Sequence, residues 1–471
     1  MGDILPDERT KSQRGGRWIG HRGPSSQARV RSRLQCGMEP SYRRSRGHIQ
    51  AECNLLVAPR RGRGGIVRKR GGDTIVKILI VNTLYPPSTV GGAERSVALL
   101  ARAAARRGHA VHVASLHAAD AAIEERDGDV TVHRLPLRNL YWPFDAERNE
   151  SRQRRLVWHV RDRRNPAATR DLVALIDRIR PDVLHTNNLQ GFSTEIWAEA
   201  KRRGIRIVHT LRDYSLLCAR ASLYRAGHDC VRRCVDCKLL TGRKKDNSVL
   251  VDAVASNSQY VIDTHRRHGY FSATDARVIF NIADVRSAPT PAAVPEQGGL
   301  TFGFIGRVEP EKGIEVVLAA FARLERPDWQ LVVAGAGKGS YVAELRARYP
   351  DPRIRWLGFV NADDFYAGVD VVIISSTWPE PLPRTMIDCL ARGKAVIYSD
   401  AGGTPEIGHL APLGAIYAKD DAAALADRLT VALDAADDWR AVRGVAPEVL
   451  EAFSESRVVG NYLAFYEGAA A

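Results

Sequence analysis

Hydrophobic and polar positions alternate in blocks along most of the chain. From Val76 onward, short apolar runs of strand length are followed by stretches whose apolar residues recur every three or four positions, as on one helix face. The run at 77–81 predicts a buried strand, and residues 93–107 predict an amphipathic helix that ends at Gly108. Such alternation is typical of parallel α/β layers.

The same pattern predicts two α/β units. In the first, the further elements are strands at 111–114, 182–186, 205–210, 254–256 and 278–280 and helices at 169–180 and 194–203. In the second, they are strands at 300–305, 330–334, 353–357, 370–374 and 395–398 and helices at 313–324, 340–349 and 384–392. We therefore expect two doubly wound, Rossmann-like domains facing each other across a cleft, where ligands of this class bind.

The domain boundaries follow from changes in composition. The first domain is predicted at 74–284 and the second at 300–453, joined by a Pro- and Ala-rich linker at 285–299. Residues 454–471 predict a C-terminal helix that packs back on the first domain.

Charge separates residues 1–73 from the rest. The 471-residue chain carries 69 Lys and Arg against 54 Asp and Glu, and 17 of these bases but only 6 of the acids lie in 1–73. The body is nearly balanced, so the high isoelectric point does not indicate a nucleic-acid ligand. We predict a disordered leader. The alternatives are a basic arm that contacts RNA or anionic lipid, and a natural translation start near Val76.

Targeting signals are not evident in the sequence. No apolar run follows the charges of the leader as in a secretory signal, and no stretch reaches the ~18 apolar residues of a spanning helix. We therefore expect a cytoplasmic protein that, at most, binds the inner membrane face peripherally.

A basic turn follows the first strand of the second domain. Gly306, Arg307 and Lys312 precede a predicted helix. Arg can bind phosphate oxygens bidentately, Lys adds a point charge, and a helix N-terminus offers free amides, so the turn suits a diphosphate. The alternative is a charged loop that merely begins a helix.

An acidic pair lies further along the same domain. Glu380 is in a Pro-rich loop after a strand, and Asp388 lies on the following helix. A Gly-rich loop with Gly402, Gly403 and Glu406 comes next.

Three segments together resemble the glycosyltransferases of family 4, the retaining GT-B enzymes related to glycogen synthase. They are GRVEPEKG at 306–313, PEPLPRTMIDCLARGKAVIYSDAGGTPEI at 379–407 and GGAERSVALLARAAARRGH at 91–109. The resemblance runs from about Val76 to Tyr466. It implies a GT-B fold and transfer of a sugar, with retention and without a metal, from a nucleotide-sugar donor to a sugar or lipid-linked acceptor.

The resemblance also implies roles for the donor side. Arg307 and Lys312 would bind the diphosphate, Glu380 the sugar hydroxyls and Asp388 the ribose, although Asp388 is one methylene shorter than the Glu of the family and could be a surface acid. Pro383 stands where many relatives carry Gly, so a backbone donor is lost. The remaining donor-side residues that the resemblance implies are Gly306, Gly402, Gly403, Glu406 and Val360. Val360 lies in the loop that holds the nucleobase in relatives. The alternative for Glu406 is a plain carboxylate at the start of a helix.

In the first domain, the resemblance places Gly91, Gly92 and Glu94 in the cleft wall opposite the donor. Arg212 and Asp213 stand where many relatives have His-Asp, so Arg212 is expected to be a cationic contact to donor or acceptor. His185, at a strand end, is a candidate for the cleft, and the alternative is a hydrogen-bonded structural histidine.

Four cysteines cluster in an insertion at 218–237. Cys218, Cys230, Cys234 and Cys237 suit a structural tetrahedral zinc, with free reduced thiols as the alternative. No cofactor is expected for the chemistry itself.

Residues 138–170 interleave Arg with aromatic side chains. This pattern predicts either a solvated helix face or a surface that contacts anionic lipid or a lipid-diphosphate acceptor. A nucleotide-sugar epimerase and a non-catalytic binding protein remain rival functions.

Overall fold

The computed structural model describes residues 67–68, 74–89, 91–145, 150–283, 299–442 and 444–468. These residues belong to one compact unit, Gly62–Ala471. The predicted leader at 1–73, apart from 67–68, and the predicted linker at 285–299, apart from Gly299, lie outside the described residues. We call residues 74–283 the N-terminal half and residues 299–453 the C-terminal half.

Two short antiparallel pairs stand apart from the main sheets: β1 (Val67–Arg68) with β2 (Thr74–Ile75), and β9 (Tyr224–Arg225) with β10 (His228–Asp229). The main sheet of the N-terminal half contains β3 (Lys77–Val81), β4 (Ala110–His117), β5 (Ile123–Asp127), β6 (Val130–Pro136), β7 (Val183–Thr186), β8 (Arg206–Leu211), β11 (Ala253–Ser256) and β12 (Asp275–Val278). Their order is β12-β11-β8-β7-β3-β4-β6-β5, with β5 antiparallel to β6 and the other neighbours parallel.

Four helices pack apolar faces against the buried Val, Leu and Ile side chains of this sheet. They are α1 (Gly92–Arg106), α3 (Pro166–Ile179), α4 (Glu195–Arg202) and α6 (Gln259–Arg267). Two further helices, α2 (Arg152–Arg163) and α5 (Val235–Ser248), pack against each other. The carboxylate of Glu94 accepts the N–H of Gly91 at 3.0 Å and so caps the start of α1.

The C-terminal half repeats the plan with six parallel strands. They are β13 (Leu300–Ile305), β14 (Trp329–Ala334), β15 (Ile354–Gly358), β16 (Val371–Ile374), β17 (Ala395–Ser399) and β18 (Gly414–Tyr417), in the order β15-β14-β13-β16-β17-β18. Around them lie a 3₁₀ turn (Pro310–Lys312), α7 (Ile314–Phe321), α8 (Gly339–Arg348), α9 (Ala362–Ala367), α10 (Arg384–Ala391), α11 (Thr404–Gly408), α12 (Ala422–Asp434), α13 (Ala436–Ala441) and α14 (Pro447–Ala452).

The last helix, α15 (Glu455–Glu467), returns to the N-terminal half. Tyr462, Phe465 and Tyr466 belong to the same buried cluster as β3 and α1. Arg206 donates from Nε to the carbonyl of Phe465 at 2.7 Å. None of the helices in the described part of the chain combines the length and the apolar character needed to cross a bilayer.

Several elements of the N-terminal half differ from the sequence prediction. Helices α5 and α6 were not predicted, and the last strand, β12, lies at 275–278 rather than at 278–280. The hairpin of β5 and β6 was not predicted, because the exposed strand β5 reads IEERD and has no apolar run. The Arg-rich helix α2 was predicted only as one of two alternatives for its region. It buries just Trp158 and Asp162 and therefore shows no broad apolar stripe.

Candidate active site

A cleft of about 840 Å³ is lined by residues of both halves, near the carboxyl ends of their strands. Nine predicted site residues line it: Gly91, Gly92, Glu94, Arg212 and Asp213 from the N-terminal half, and Gly306, Arg307, Lys312 and Glu380 from the C-terminal half. The basic turn and the first acid of the acidic pair therefore share one cavity.

Lys312 and Glu380 form an ion pair in this cleft. Nζ of Lys312 lies 2.6 Å from Oε2 of Glu380, whose side chain is buried. Ser376 Oγ and Trp378 Nε1 donate to the same oxygen at 2.7 and 2.8 Å. Burial acts to raise the pKa of the Glu380 carboxyl, but the charge of Lys312 and these hydrogen bonds hold it below its ordinary value. Glu380 is thus ionised at neutral pH, and its Oε1 accepts no hydrogen bond from a described residue.

A glycine fixes the turn that presents Lys312. Gly313 has φ +71°, and a Cβ there would lie 1.8 Å from the carbonyl oxygen of Ser375. Ser375 donates from Oγ to the carbonyl of Lys312 at 2.8 Å, and the N–H of Thr377 donates to Glu311 O at 3.0 Å. The turn is therefore tied to the segment that leads to Glu380, so the two charges are positioned together.

Arg307 is held less firmly. Its side chain is 47% exposed, and Nη1 lies 2.6 Å from Oε2 of Glu309. Because water screens such an exposed pair, the guanidinium can exchange Glu309 for another anion at little cost.

The Gly-rich loop supports Glu380 from behind. Gly402 has φ +59°, and a Cβ there would lie 2.1 Å from Glu380 O, to which the N–H of Gly403 donates at 2.8 Å. Glu406 accepts the N–H groups of Gln259 and Tyr260, at the start of α6, at 2.7 and 2.6 Å. These three residues do not line the cleft; they brace the Glu380 loop and join the two halves.

The N-terminal half also holds the Glu380 loop directly. The hydroxyl of Tyr214 donates to Pro379 O at 2.8 Å, and Oγ of Ser258 donates to Pro381 O at 2.5 Å. Both donors are fully buried. The two peptide carbonyls that flank Glu380 are thus fixed by the opposite half.

Asp388 and Val360 lie outside the cleft lining. The carboxylate of Asp388 is 14% exposed and lies 3.9 Å from guanidinium nitrogens of Arg384 and Arg392. Arg384 lines the cleft and donates from Nη1 to Ser96 Oγ of the other half at 3.3 Å. In the loop of Val360, it is Phe359, 90% exposed, that lines the cleft.

On the opposite wall, amide side chains hold Arg212 and Asp213. Arg212 donates from Nε to Asn187 Oδ1 at 2.8 Å and from Nη1 to Asn281 Oδ1. Asp213 accepts Asn188 Nδ2 at 2.6 Å and the N–H of Ser215 at 2.7 Å. Segments far apart in the sequence therefore build this wall.

Two protein-family models match the chain, one on each half. The model described as Glycosyltransferase Family 4 matches residues 90–287, and the model described as Glycosyl transferases group 1 matches residues 291–441. The chain belongs to glycosyltransferase family 4. The resemblance noted in the sequence is confirmed, as are an enzyme of the glycosyltransferase type and the two Rossmann-like domains of the GT-B fold.

Curated proteins are similar to the chain in sequence. A 42.6 kDa protein of the Klebsiella pneumoniae cps region, described as uncharacterised, is 30% identical over 337 residues, which cover 72% of this chain and 88% of that protein. The lipopolysaccharide core mannosyltransferase LpsB of Rhizobium meliloti is 31% identical over 28% of this chain and 41% of its own length.

Solved structures share the fold. Sucrose-phosphate synthase from Thermosynechococcus elongatus has a TM-score of 0.63 at 19% identity, covering 83% of this chain and 98% of that one. Anabaena HepE in complex with UDP and glucose has a TM-score of 0.58 at 17% identity, and the match covers 83% of this chain and 99% of that one.

His185 of this glycosyltransferase lies in the core rather than in the cleft. It is fully buried, with Nδ1 2.8 Å from the hydroxyl of Tyr466 on α15 and Nε2 2.7 Å from Thr210 Oγ1. Burial and the charge of Arg212 lower the pKa of His185 well below its ordinary value. The cleft-side assignment is therefore corrected in favour of the structural alternative, because both ring nitrogens already have partners.

The cysteine insertion packs against the core of the N-terminal half. Cys218 and Cys237 are buried in the core, and Cys230 and Cys234 pack against the same cluster. A hydrogen bond between Cys218 and Cys237 lowers the pKa of the first and raises that of the second. Within the described ranges, no group of three or more His, Cys, Asp or Glu side chains is arranged to hold a metal ion. A structural zinc and free reduced thiols both stay predictions.

Sequence reasoning missed four residues that hold the site together: three contact the opposite half, and Asn281 contacts Arg212 within the N-terminal half. Tyr214, Ser258, Asn281 and Arg384 contact the site from four separate segments. A weak signal existed only for Tyr214 and Arg384, since they lie within two and four positions of residues already singled out.

Proposed function

We propose that this glycosyltransferase moves a sugar, with retention, from a nucleotide-sugar donor to an acceptor hydroxyl in the cleft between its halves. The observation that carries the proposal is the Lys312–Glu380 pair, in which a cation and an ionised carboxylate are held 2.6 Å apart in the cavity. Relatives of the same fold bind UDP or UDP-glucose, which supports a nucleotide-sugar donor.

The cations of the C-terminal half suit the leaving diphosphate. One N–H of Lys312 serves Glu380, and the ammonium has two further donors for phosphate oxygens. Arg307 lines the same cleft with an exposed, weakly held guanidinium. As the bond to the sugar breaks, charge builds up on the diphosphate, and fixed cations stabilise that charge. On this basis we propose transfer that requires no metal ion.

Glu380 suits the donor sugar. Its Oε2 accepts three hydrogen bonds from the protein, whereas Oε1 accepts none from the described residues and is available to sugar hydroxyls. The carboxylate is thus a positioning acceptor. We propose that the acceptor hydroxyl approaches the same face of the sugar that the diphosphate leaves, and that the departing phosphate oxygen takes its proton.

The surface of α2 supports a membrane-associated acceptor. Leu156 and Val160 are each 54% exposed one helical turn apart, on a helix that carries Arg at 152, 154, 155, 161 and 163. Exposed apolar side chains among Arg residues favour an anionic lipid surface. We propose that α2 contacts the cytoplasmic face of a membrane and that the acceptor is lipid-linked.

Screening donors tests this function. UDP-, GDP- and ADP-sugars are added to the protein, and the shift in unfolding temperature selects the base; transfer to sugar and lipid-linked acceptors is then followed by product mass and anomeric NMR signals. We expect one base to stabilise the protein and a product with retained configuration. An altered sugar still attached to its nucleotide would instead show an epimerase, and no stabilisation by any donor would refute the proposal.

A further inference from the structure

Two arginines lie on the N-terminal wall of the cleft. Among the described residues, neither Arg212 nor Arg220 forms an ion pair, although both line the cavity. The N–H of Tyr214 donates to Ala221 O at 3.1 Å, so the segments that carry the two arginines run side by side. On the opposite wall, by contrast, Lys312 and Arg307 are each paired with a glutamate.

Arg212 is oriented before any ligand binds. It is partly buried, and two of its five N–H groups are committed to Asn187 and Asn281, both of which are buried. The three remaining N–H groups include both on Nη2. A guanidinium fixed in this way presents a fork that matches the two oxygens of a carboxylate or phosphate.

The surroundings of Arg212 do not neutralise its charge. Its hydrogen-bond acceptors are neutral amides, and burial together with Arg212 keeps the pKa values of His185 and His209 low, so both imidazoles stay uncharged. A partly desolvated cation without a counter-charge is unfavourable unless an anion binds beside it. The carboxylate of Asp213, on the same wall, accepts hydrogen bonds from Asn188 and Ser215 and forms no ion pair with Arg212. Among the described residues, Arg212 therefore still lacks a directly bound counter-charge.

We propose that Arg212, with Arg220 beside it, binds an anionic group, a carboxylate or a phosphate, carried by the acceptor or by the transferred sugar. The inference rests on the proposed function and narrows its substrate class to a charged sugar substrate. Arg212 belongs to the N-terminal half, whereas the Lys312–Glu380 pair proposed for the donor belongs to the C-terminal half.

The test compares charged and neutral probes of one sugar. With UDP, GDP or ADP at saturation, the dissociation constants of glucose 6-phosphate, glucuronate and glucose are measured by calorimetry; in a second arm, UDP-glucuronate is compared with UDP-glucose. We expect a charged probe to bind at least tenfold more tightly than its neutral twin. A preference in the first arm places the anion on the acceptor, and one in the second arm places it on the donated sugar.

Substitutions show whether Arg212 and Arg220 cause the preference for the charged probe. Arg212→Gln keeps a polar side chain for the two asparagines and is expected to abolish the preference, whereas Arg178→Gln, in an exposed pair with Glu124 outside the cleft, should preserve it. Arg220 is exposed, so Arg220→Gln is not expected to disturb folding. We expect this variant to reduce the preference for the charged probe two- to fivefold.

Equal affinities for charged and neutral probes in both arms, or a preference that survives Arg212→Gln, would overturn the inference. Failure of the proposed function looks different, because then none of the three nucleotides stabilises the protein.

Discussion

The two walls of the cleft hold their charges in opposite ways. On the C-terminal wall, Lys312 and Glu380 are paired with each other, and glycines pack the backbone closely around them. On the N-terminal wall, Arg212 is held by neutral asparagines and has no acidic partner among the described residues. One wall is electrostatically complete before substrate arrives and the other is not. The first suits chemistry common to a family, and the second suits recognition of one particular substrate.

Breaking the paired wall should have the largest effect. Lys312→Met leaves the carboxylate of Glu380 buried without its cation, which is expected to destabilise the fold by about 3 kcal/mol. Turnover should fall about 10²–10³-fold, because a cation near the leaving diphosphate is lost. Urea unfolding and initial rates measure the two effects. Lys338→Met, away from the cleft lining, is the matched control, and a Lys312→Met enzyme with normal turnover would contradict the role of the pair.

Sequence reasoning brought Lys312 and Glu380 to one cleft although they lie 68 positions apart. Arg307 and Lys312 share one turn, and Glu380 follows the neighbouring parallel strand, so both motifs lie at the same edge of one sheet. The N-terminal wall depends on Asn187 and Asn281, which lie 25 and 69 positions from Arg212. Neither asparagine belongs to a motif identified in the sequence, so no pattern linked them to Arg212. His185 illustrates the same limit, since its partner Tyr466 comes from the far end of the chain.

Acid should destabilise the N-terminal half at a higher pH than the C-terminal half. Burial lowers the pKa of His209 to about 3 and of His265 to about 4, from an ordinary value of 6.5. The unfolded chain therefore binds more protons below pH 6.5, and each histidine removes about 1.4 kcal/mol of stability per pH unit as the pH falls towards its folded value. Glu380, whose folded pKa is also lowered, loses its stabilising contribution only below its ordinary value of 4.5.

Urea unfolding between pH 7 and pH 5 checks this order. The N-terminal half, which contains both histidines, should lose stability first, and His265→Gln should flatten the slope. A wild-type free energy of unfolding that does not change across this range would contradict the prediction.

Loosening the link between the walls should have a smaller effect. Tyr214→Phe removes the hydrogen bond to Pro379 O, and Ser258→Ala removes the one to Pro381 O. Each variant should lower turnover about tenfold, since a net hydrogen bond contributes about 1 kcal/mol and the reacting groups lose alignment. Nucleoside diphosphate affinity, measured by calorimetry, should stay within twofold. Tyr260→Phe controls for loss of a hydroxyl elsewhere, and an equal loss of affinity and turnover would indicate general unfolding instead.

The smallest effect is expected on the outer surfaces of the two halves, where α2 and α12 both expose apolar side chains. Leu156 and Val160 on α2 and Val431 on α12 are all 54% exposed, but only α2 surrounds its apolar residues with many arginines. Replacing Leu156 and Val160 by Ser should reduce the fraction bound to vesicles of phosphatidylglycerol about threefold to tenfold in a sedimentation assay, because both apolar burial and the Arg headgroup contacts weaken. Val431→Ser should bind as wild type does. If the double variant of Leu156 and Val160 sediments with vesicles as much as Val431→Ser does, the α2 surface has no special affinity for lipid. The proposal of a lipid-linked acceptor then loses its support, whereas the proposed chemistry in the cleft does not depend on this result.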